Sequence, residues 1–374
     1  MTLKKILIIL ISLLILVIGI LVIYNFFFKE TTRPEVELEE EITEEVLKPW
    51  PAAKIKVISQ EPVLSPIIDG QKIKYYSAAN GQIFQINFDG SDLTRISSLI
   101  LQGLLKVLWS PEQTKAITIL SENGKVKKYL YDYRTKQSTL LNPHIQWIAW
   151  SPAGHQIAYQ YENPATGDNN ISLAQPDGSN WQNIFKTRMK NLIVQWPGFN
   201  QISIQTPPSG LAQSVLYTIN PETGHFQKVF SDIYGLTILW SPQGDKILFS
   251  QTNEQGRNLR LKIADKNGRI VQALDWQTLP EKCVWSQDNR TIFCALPRAI
   301  PSRAVWPDDY YKGLVTTADD FWKINLETNQ KKLLIKRGQM AEDYDARQLF
   351  LSPQEDYLFF VNKKDGLLYS LKLE

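Results

Sequence analysis

The residues able to do chemistry are few and scattered. Three histidines, His144, His155 and His225, form no H-E-x-x-H, H-x-H or Cys/His cluster, so a metal hydrolase site has no support. Two cysteines, Cys283 and Cys294, cannot make a four-thiolate zinc site. No G-x-S-x-G elbow, Walker A loop or G-x-G-x-x-G turn occurs. Asp308-Asp309 and Asp319-Asp320 place carboxylates side by side, whereas Ca²⁺ loops need alternating ligands such as D-x-D-x-D. They read as solvated acidic turns. No cofactor is expected, and the one enzymatic arrangement left open is a carboxylate pair assembled from distant parts of the chain.

Recognition chemistry is better represented. From Pro297 to Asp320 the chain carries Trp306, Tyr310 and Tyr311 among Arg303, Asp308, Asp309 and Lys312. Tyr, Trp and Arg are the types enriched at the centres of binding surfaces. A net charge of +3 gives no general excess of Lys and Arg to grip a phosphate backbone, so no nucleic-acid partner is expected.

The elements that must position these residues begin with a membrane segment. Residues Ile6 to Phe28 form a run of 23 that is apolar except for Ser12, Gly19, Tyr24 and Asn25. About 20 such residues in a helix cross the hydrocarbon core. A cleavable signal peptide would have a shorter apolar stretch ending in an A-x-A-like site, and neither holds. Lys4 and Lys5 on the near side predict a cytoplasmic N-terminus and a single pass through the cell membrane, with everything after Phe28 outside. Residues 1–5 are then a cytoplasmic tail, 6–28 an uncleaved anchor, and 29–50 an acidic stalk with eight Glu between Glu30 and Glu45. Such a stalk cannot bury enough apolar surface to fold alone.

Residues 51–374 repeat. The motif appears as Val107-Leu-Trp-Ser-Pro, Ile148-Ala-Trp-Ser-Pro, Val194-Gln-Trp-Pro-Gly, Ile238-Leu-Trp-Ser-Pro, Cys283-Val-Trp-Ser-Gln and Leu349-Phe-Leu-Ser-Pro, with Val63-Leu-Ser-Pro before them. Its anchors are Leu64, Trp109, Trp150, Trp196, Trp240, Trp285 and Leu351, at spacings of 45, 41, 46, 44, 45 and 66 residues. Each repeat has a short apolar strand ending at the anchor, a turn, and further strands separated by Asp-Gly-like turns. Four strands per repeat of about 45 residues is the signature of a propeller blade. The prediction is an all-β, seven-bladed β-propeller with four-stranded antiparallel blades. Seven equivalent anchors argue for packing between blades rather than for a site.

The W-S-P-x-G turn followed by an apolar strand, closest at Trp150-Ser-Pro-Ala-Gly154 and Trp240-Ser-Pro-Gln-Gly244, resembles the WD40-like Pro-Asp repeats of the TolB-type β-propellers. The resemblance covers about residues 53 to 373 and implies the fold and a bacterial cell envelope. It is nearly silent on activity, because propellers host unrelated functions. TolB-type proteins also carry an N-terminal α/β domain that binds a periplasmic partner. This chain has a membrane helix and stalk in its place, so that role is not carried over. Ser286-Gln-Asp-Asn-Arg-Thr291 resembles a sialidase Asp-box, but it lacks the Gly and the final Trp and occurs once.

Three finer expectations follow. Lys54 to Ser59 is an orphan strand, and the last repeat supplies only three, so the first should close the ring as the outer strand of blade seven. Cys283 and Cys294 flank a hairpin in which one register sets them opposite each other; a disulfide and two buried free thiols both remain open. The long sixth interval holds roughly 21 extra residues, an insertion between the second and third strands of blade six. Insertions in repeat proteins often sit on the binding face. It is expected to be the main recognition surface, with Trp306, Tyr310 and Tyr311 as exposed anchors and Arg303, Asp308 and Asp309 setting specificity; the alternative is a self-packed cap over the channel. The function expected is a binding or scaffolding module for a protein or envelope-polymer partner. Its rival is an envelope enzyme acting on glycan or peptide at the channel mouth.

Overall fold

A computed structural model describes residues Lys54–Leu373. The apolar run at 6–28 and the acidic stretch at 29–50 lie outside the described residues. Among the described residues, no helix is long and apolar enough to cross a membrane.

Seven four-stranded antiparallel sheets follow one another along the chain. The first strands of successive sheets, such as Ile145–Trp150 and Ile193–Gly198 or Cys283–Trp285 and Ala346–Leu351, touch one another and therefore line the axis. Every pair of neighbouring blades shares an apolar cluster. Blade seven shares one with blade one, where Phe359, Val361 and Leu368 pack against Val63, Ile73 and Ile86. Seven blades with seven such interfaces make a closed ring.

The anchor tryptophans hold adjacent blades together. The Trp109 indole donates to the Ser65 carbonyl at 2.9 Å, Trp150 to Leu108 at 2.9 Å, and Trp285 to Leu239 at 3.4 Å, each acceptor belonging to the preceding blade. Period-2 strands supply the packed faces, and the large indole fills the wedge between sheets. The Trp240 N–H finds the Ser203 hydroxyl at 3.1 Å, whereas the Trp196 N–H is buried without a partner among the described residues. The turns after Trp150 and Trp240 are built alike. The Ser151 and Ser241 hydroxyls accept from the Gln156 and Lys246 amides at 3.1 Å each. Gly154 and Gly244 complete these turns at φ of +73° and +68°, where a Cβ is costly.

The first repeat differs from its expected alignment. Ile68, not Leu64, occupies the anchor position, because Ile68 pairs with Ile73 just as Trp240 pairs with Ile247. Ser65 sits at positive φ three residues before this anchor, as Trp147 and Gln348 do before Trp150 and Leu351. Gly70-Gln71, between the paired Asp69 and Lys72, makes the turn rather than Ser65-Pro66. A Leu-Ser-Pro string imitated the motif one bulge too early.

Closure occurs through Ile55–Val57, which pairs antiparallel with Leu368–Lys372 in the register Ile55↔Leu371, Lys56↔Ser370 and Val57↔Tyr369. Cys283 stands directly opposite Cys294, and the two are joined by a disulfide. Both are buried in the cluster between blades five and six. Removing the link with a Cys283→Ala/Cys294→Ala pair should cost about 2–3 kcal/mol for a loop of this size. Intact mass of the full chain after alkylation without reductant checks the bond itself. Two alkylated cysteines would contradict it.

Candidate functional site

The insertion connects Thr291–Pro297 to Asp319–Asn325, the second and third strands of blade six, as its length implied. Its aromatic residues are not displayed as expected. Trp306 and Tyr310 are 1% and 2% exposed and pack with Leu259, Leu279 and Ala304. Only Tyr311 reaches solvent, at 46%. The two carboxylates shape the loop rather than face outward. Asp308 accepts from the Ser209 hydroxyl at 3.0 Å and the Gly210 amide at 2.7 Å, while Asp309 accepts from the Val305 amide at 2.8 Å. Arg303 is exposed. The physical reason is that the inserted aromatics lie against two neighbouring loops, and large rings bury wherever apolar surface is offered. The insertion is a packed cap whose outer side, with Ala304 and Trp306, lines a cleft of about 500 Å³ against Gln255 and Arg257 of blade five.

Beneath the cap lies an ionic cluster that the sequence did not reveal. Lys282, fully buried, reaches Asp345 at 2.7 Å, Asp319 at 2.8 Å, the Ala346 carbonyl at 2.9 Å and the Thr317 hydroxyl at 3.0 Å. The Tyr310 hydroxyl donates to Asp345 at 2.9 Å. Burial would raise the Asp345 carboxyl, but the Lys282 ammonium and the Thr317 groups hold it below the usual carboxylate range. Asp319 goes the other way: burial pushes it up despite Lys282, and its Oδ1 has no hydrogen-bond partner. These two aspartates are a pair assembled from different blades, the arrangement an enzyme would need. Both are closed to solvent and held by Lys282, so they act as a structural lock between blades six and seven. Above the lock, burial raises the Glu281 carboxyl, which accepts from Tyr311 at 2.6 Å.

A larger cavity lies elsewhere, between blades one and two. Its volume is about 610 Å³, and Tyr76, Tyr129, Tyr131 and Tyr133 line it together with Ile83, Leu99, Leu101 and Leu120. The strand Lys125–Asp132 places Tyr129 and Tyr131 on one face by period-2 alternation, and Tyr133 follows just beyond it. The Tyr76 and Tyr133 hydroxyls bond each other, and Trp109 backs both rings at 5.2 and 5.6 Å. Burial pushes the Tyr76 phenol up to about 12. The Tyr129 hydroxyl donates to Glu122 at 3.3 Å, and Glu122 is held low by Lys127 at 2.7 Å. Beside this cavity, Ile96, Leu99 and Ile100 are 48%, 53% and 57% exposed. A concave apolar site with a few fixed hydroxyls and an apolar lip has the composition of a binding site. The alternation in Tyr129-Leu-Tyr-Asp-Tyr133 was the available signal; what hid it was that Tyr-rich strands also fill propeller cores.

Comparison with known proteins supports the fold. No protein-family model matches the chain, and no curated protein matches it in sequence. Oligogalacturonate lyase from Vibrio parahaemolyticus is 10% identical with a TM-score of 0.58, over 85% of this chain and 89% of its own. The propeller domain of the Trilobed protease from Pyrococcus furiosus, which has an open velcro topology, is 11% identical with a TM-score of 0.54, over 83% and 95%. TolB from Acinetobacter baumannii is 15% identical with a TM-score of 0.45, over 67% of this chain, which spans only 58% of TolB. At these identities the likeness is one of fold. The chain is a seven-bladed β-propeller. Among the described residues, no group of three His, Cys, Asp or Glu is placed to hold a metal ion.

Proposed function

We propose that this protein is a membrane-anchored, extracytoplasmic propeller of a bacterial cell envelope, built of TolB-type Pro-Asp repeats. It acts as a binding or scaffolding module and holds an apolar segment of a partner protein in the groove between blades one and two. The observation carrying this reading is the exposed run Ile96, Leu99 and Ile100 beside the tyrosine-lined cavity. The apolar run from Ile6 to Phe28 with Lys4 and Lys5 before it supports the anchor and its direction. The Cys283–Cys294 bond suits an oxidising compartment.

The test is a Leu99→Asp/Ile100→Asp variant of the full chain. Both side chains are exposed, so circular dichroism should be unchanged. Charging a central apolar anchor commonly costs about 2 kcal/mol or more, roughly thirtyfold in affinity. Crosslinking in intact cells followed by mass spectrometry should therefore lose the principal partner. Undiminished capture would sink the assignment of the groove.

A further inference from the structure

A second groove, between blades two and three, has different chemistry. Its volume is about 510 Å³, and its floor is one face of blade three. Strand register sets Tyr159, Ser172 and Asn183 in one row and Tyr161 beside Asn170 in the next. Asn142 and Asn163 flank this floor, and Trp181, 63% exposed, stands at the rim.

The lining residues include no Lys, Arg, Asp, Glu or His. Lys186, the cross-strand neighbour of Asn170, is held by Asp168 at 2.8 Å. The amides are oriented in advance. Asn142 Oδ1 accepts from the His144 amide at 2.9 Å, Asn163 Oδ1 from Ala165 at 3.0 Å, and Asn183 Oδ1 from the Ser172 hydroxyl at 2.7 Å. Each then leaves its NH₂ group to donate, and the Asn170 side chain has no partner among the described residues.

Each ligand class can be weighed against this lining. A charged ligand would lose hydration with nothing to pair with. An apolar ligand would strand the amides and hydroxyls, each costing about 1–3 kcal/mol. A neutral polyhydroxyl ligand matches them, because every hydroxyl both accepts from an amide and donates in return. Its rings carry polarised C–H faces, and the electron-rich face of an exposed indole attracts such hydrogens.

We infer that the groove between blades two and three binds an uncharged saccharide chain, with Trp181 as stacking platform and Asn170 and Asn183 as hydroxyl readers. This site is separate from the tyrosine groove and stands or falls without it. Calorimetric titration of the full chain, in a polyoxyethylene detergent that has no sugar headgroup, is the test. The probes are cellohexaose, maltohexaose and chitohexaose, with hexagalacturonate and an uncharged Gly/Ser/Asn decapeptide beside them. At least one neutral hexasaccharide should bind saturably below ~1 mM, a range usual for small exposed sites. Trp181→Ala should weaken it at least ~10-fold and Asn170→Ala should weaken it clearly, both with the melting temperature unchanged, because neither side chain holds a hydrogen bond among the described residues. The inference is overturned if no neutral hexasaccharide binds by ~10 mM. It is equally overturned if Trp181→Ala leaves binding intact, or if only the galacturonate or the peptide binds.

Discussion

Replacing Lys282 by alanine should lower the melting temperature of the propeller by roughly 10 °C, the largest effect expected of any single side chain. Lys282 is ion-paired with two buried aspartates, and its removal leaves Asp345 charged and desolvated with its ion pair lost. Breaking a buried pair in this way costs about 3–5 kcal/mol, and each kcal/mol moves a domain of this size by about 2–4 °C. Neutralising the orphaned acids should restore much of the loss, so Lys282→Ala/Asp319→Asn/Asp345→Asn should melt well above Lys282→Ala. Acid should weaken the lock. Asp345 is held below the usual carboxylate range, so its contribution is complete above about pH 3.9 and disappears as pH falls through its lower folded value. Asp319, pushed up by burial, opposes this, since its penalty at neutral pH is relieved on protonation. Scanning calorimetry of parent and variants decides the matter. A Lys282→Ala shift within the error of the parent would show that the cluster holds nothing together.

Deleting residues 51–60 should open the ring. Ile55 and Ile58 are 3% and 4% exposed, and burying such side chains contributes about 1.5–3 kcal/mol each. Ile58 also donates to the Leu368 carbonyl at 2.8 Å, and the Ser59 hydroxyl accepts from the Leu368 amide at 2.9 Å. Together the loss should be about 5 kcal/mol, with Leu368–Lys372 left as an unpaired edge that invites strand-to-strand association. The denaturation midpoint should fall and the variant should aggregate on heating. A midpoint and a melt equal to the parent's would mean that closure by this strand is incidental.

The fold was legible in the sequence because a propeller advertises itself through repetition. Six of the seven anchors, the closing strand and the opposed cysteines all follow from spacing and period-2 alternation. The miss at Leu64 is instructive: Ser65-Pro66 copies the motif, yet only the register Ile68↔Ile73 shows where the strand turns. The site was less legible, because exposure is a tertiary property. Trp306 and Tyr310 have the composition of a recognition loop, but burial depends on Leu259 and Leu279, which are distant in sequence. Lys282, Asp319 and Asp345 meet only after two blades close on each other, and no spacing foretells it. The tyrosine groove likewise joins Tyr76 to Tyr133 across a blade boundary.

A photo-crosslinking residue at position 99, compared in living cells with one at the equally exposed Ile270 on the outer strand of blade five, tests the binding role most directly. Position 99 should yield a discrete protein adduct that position 270 lacks, and Tyr131→Ala in the same chain should diminish it. The same adducts from both positions, or none from position 99, would contradict recognition through the groove between blades one and two.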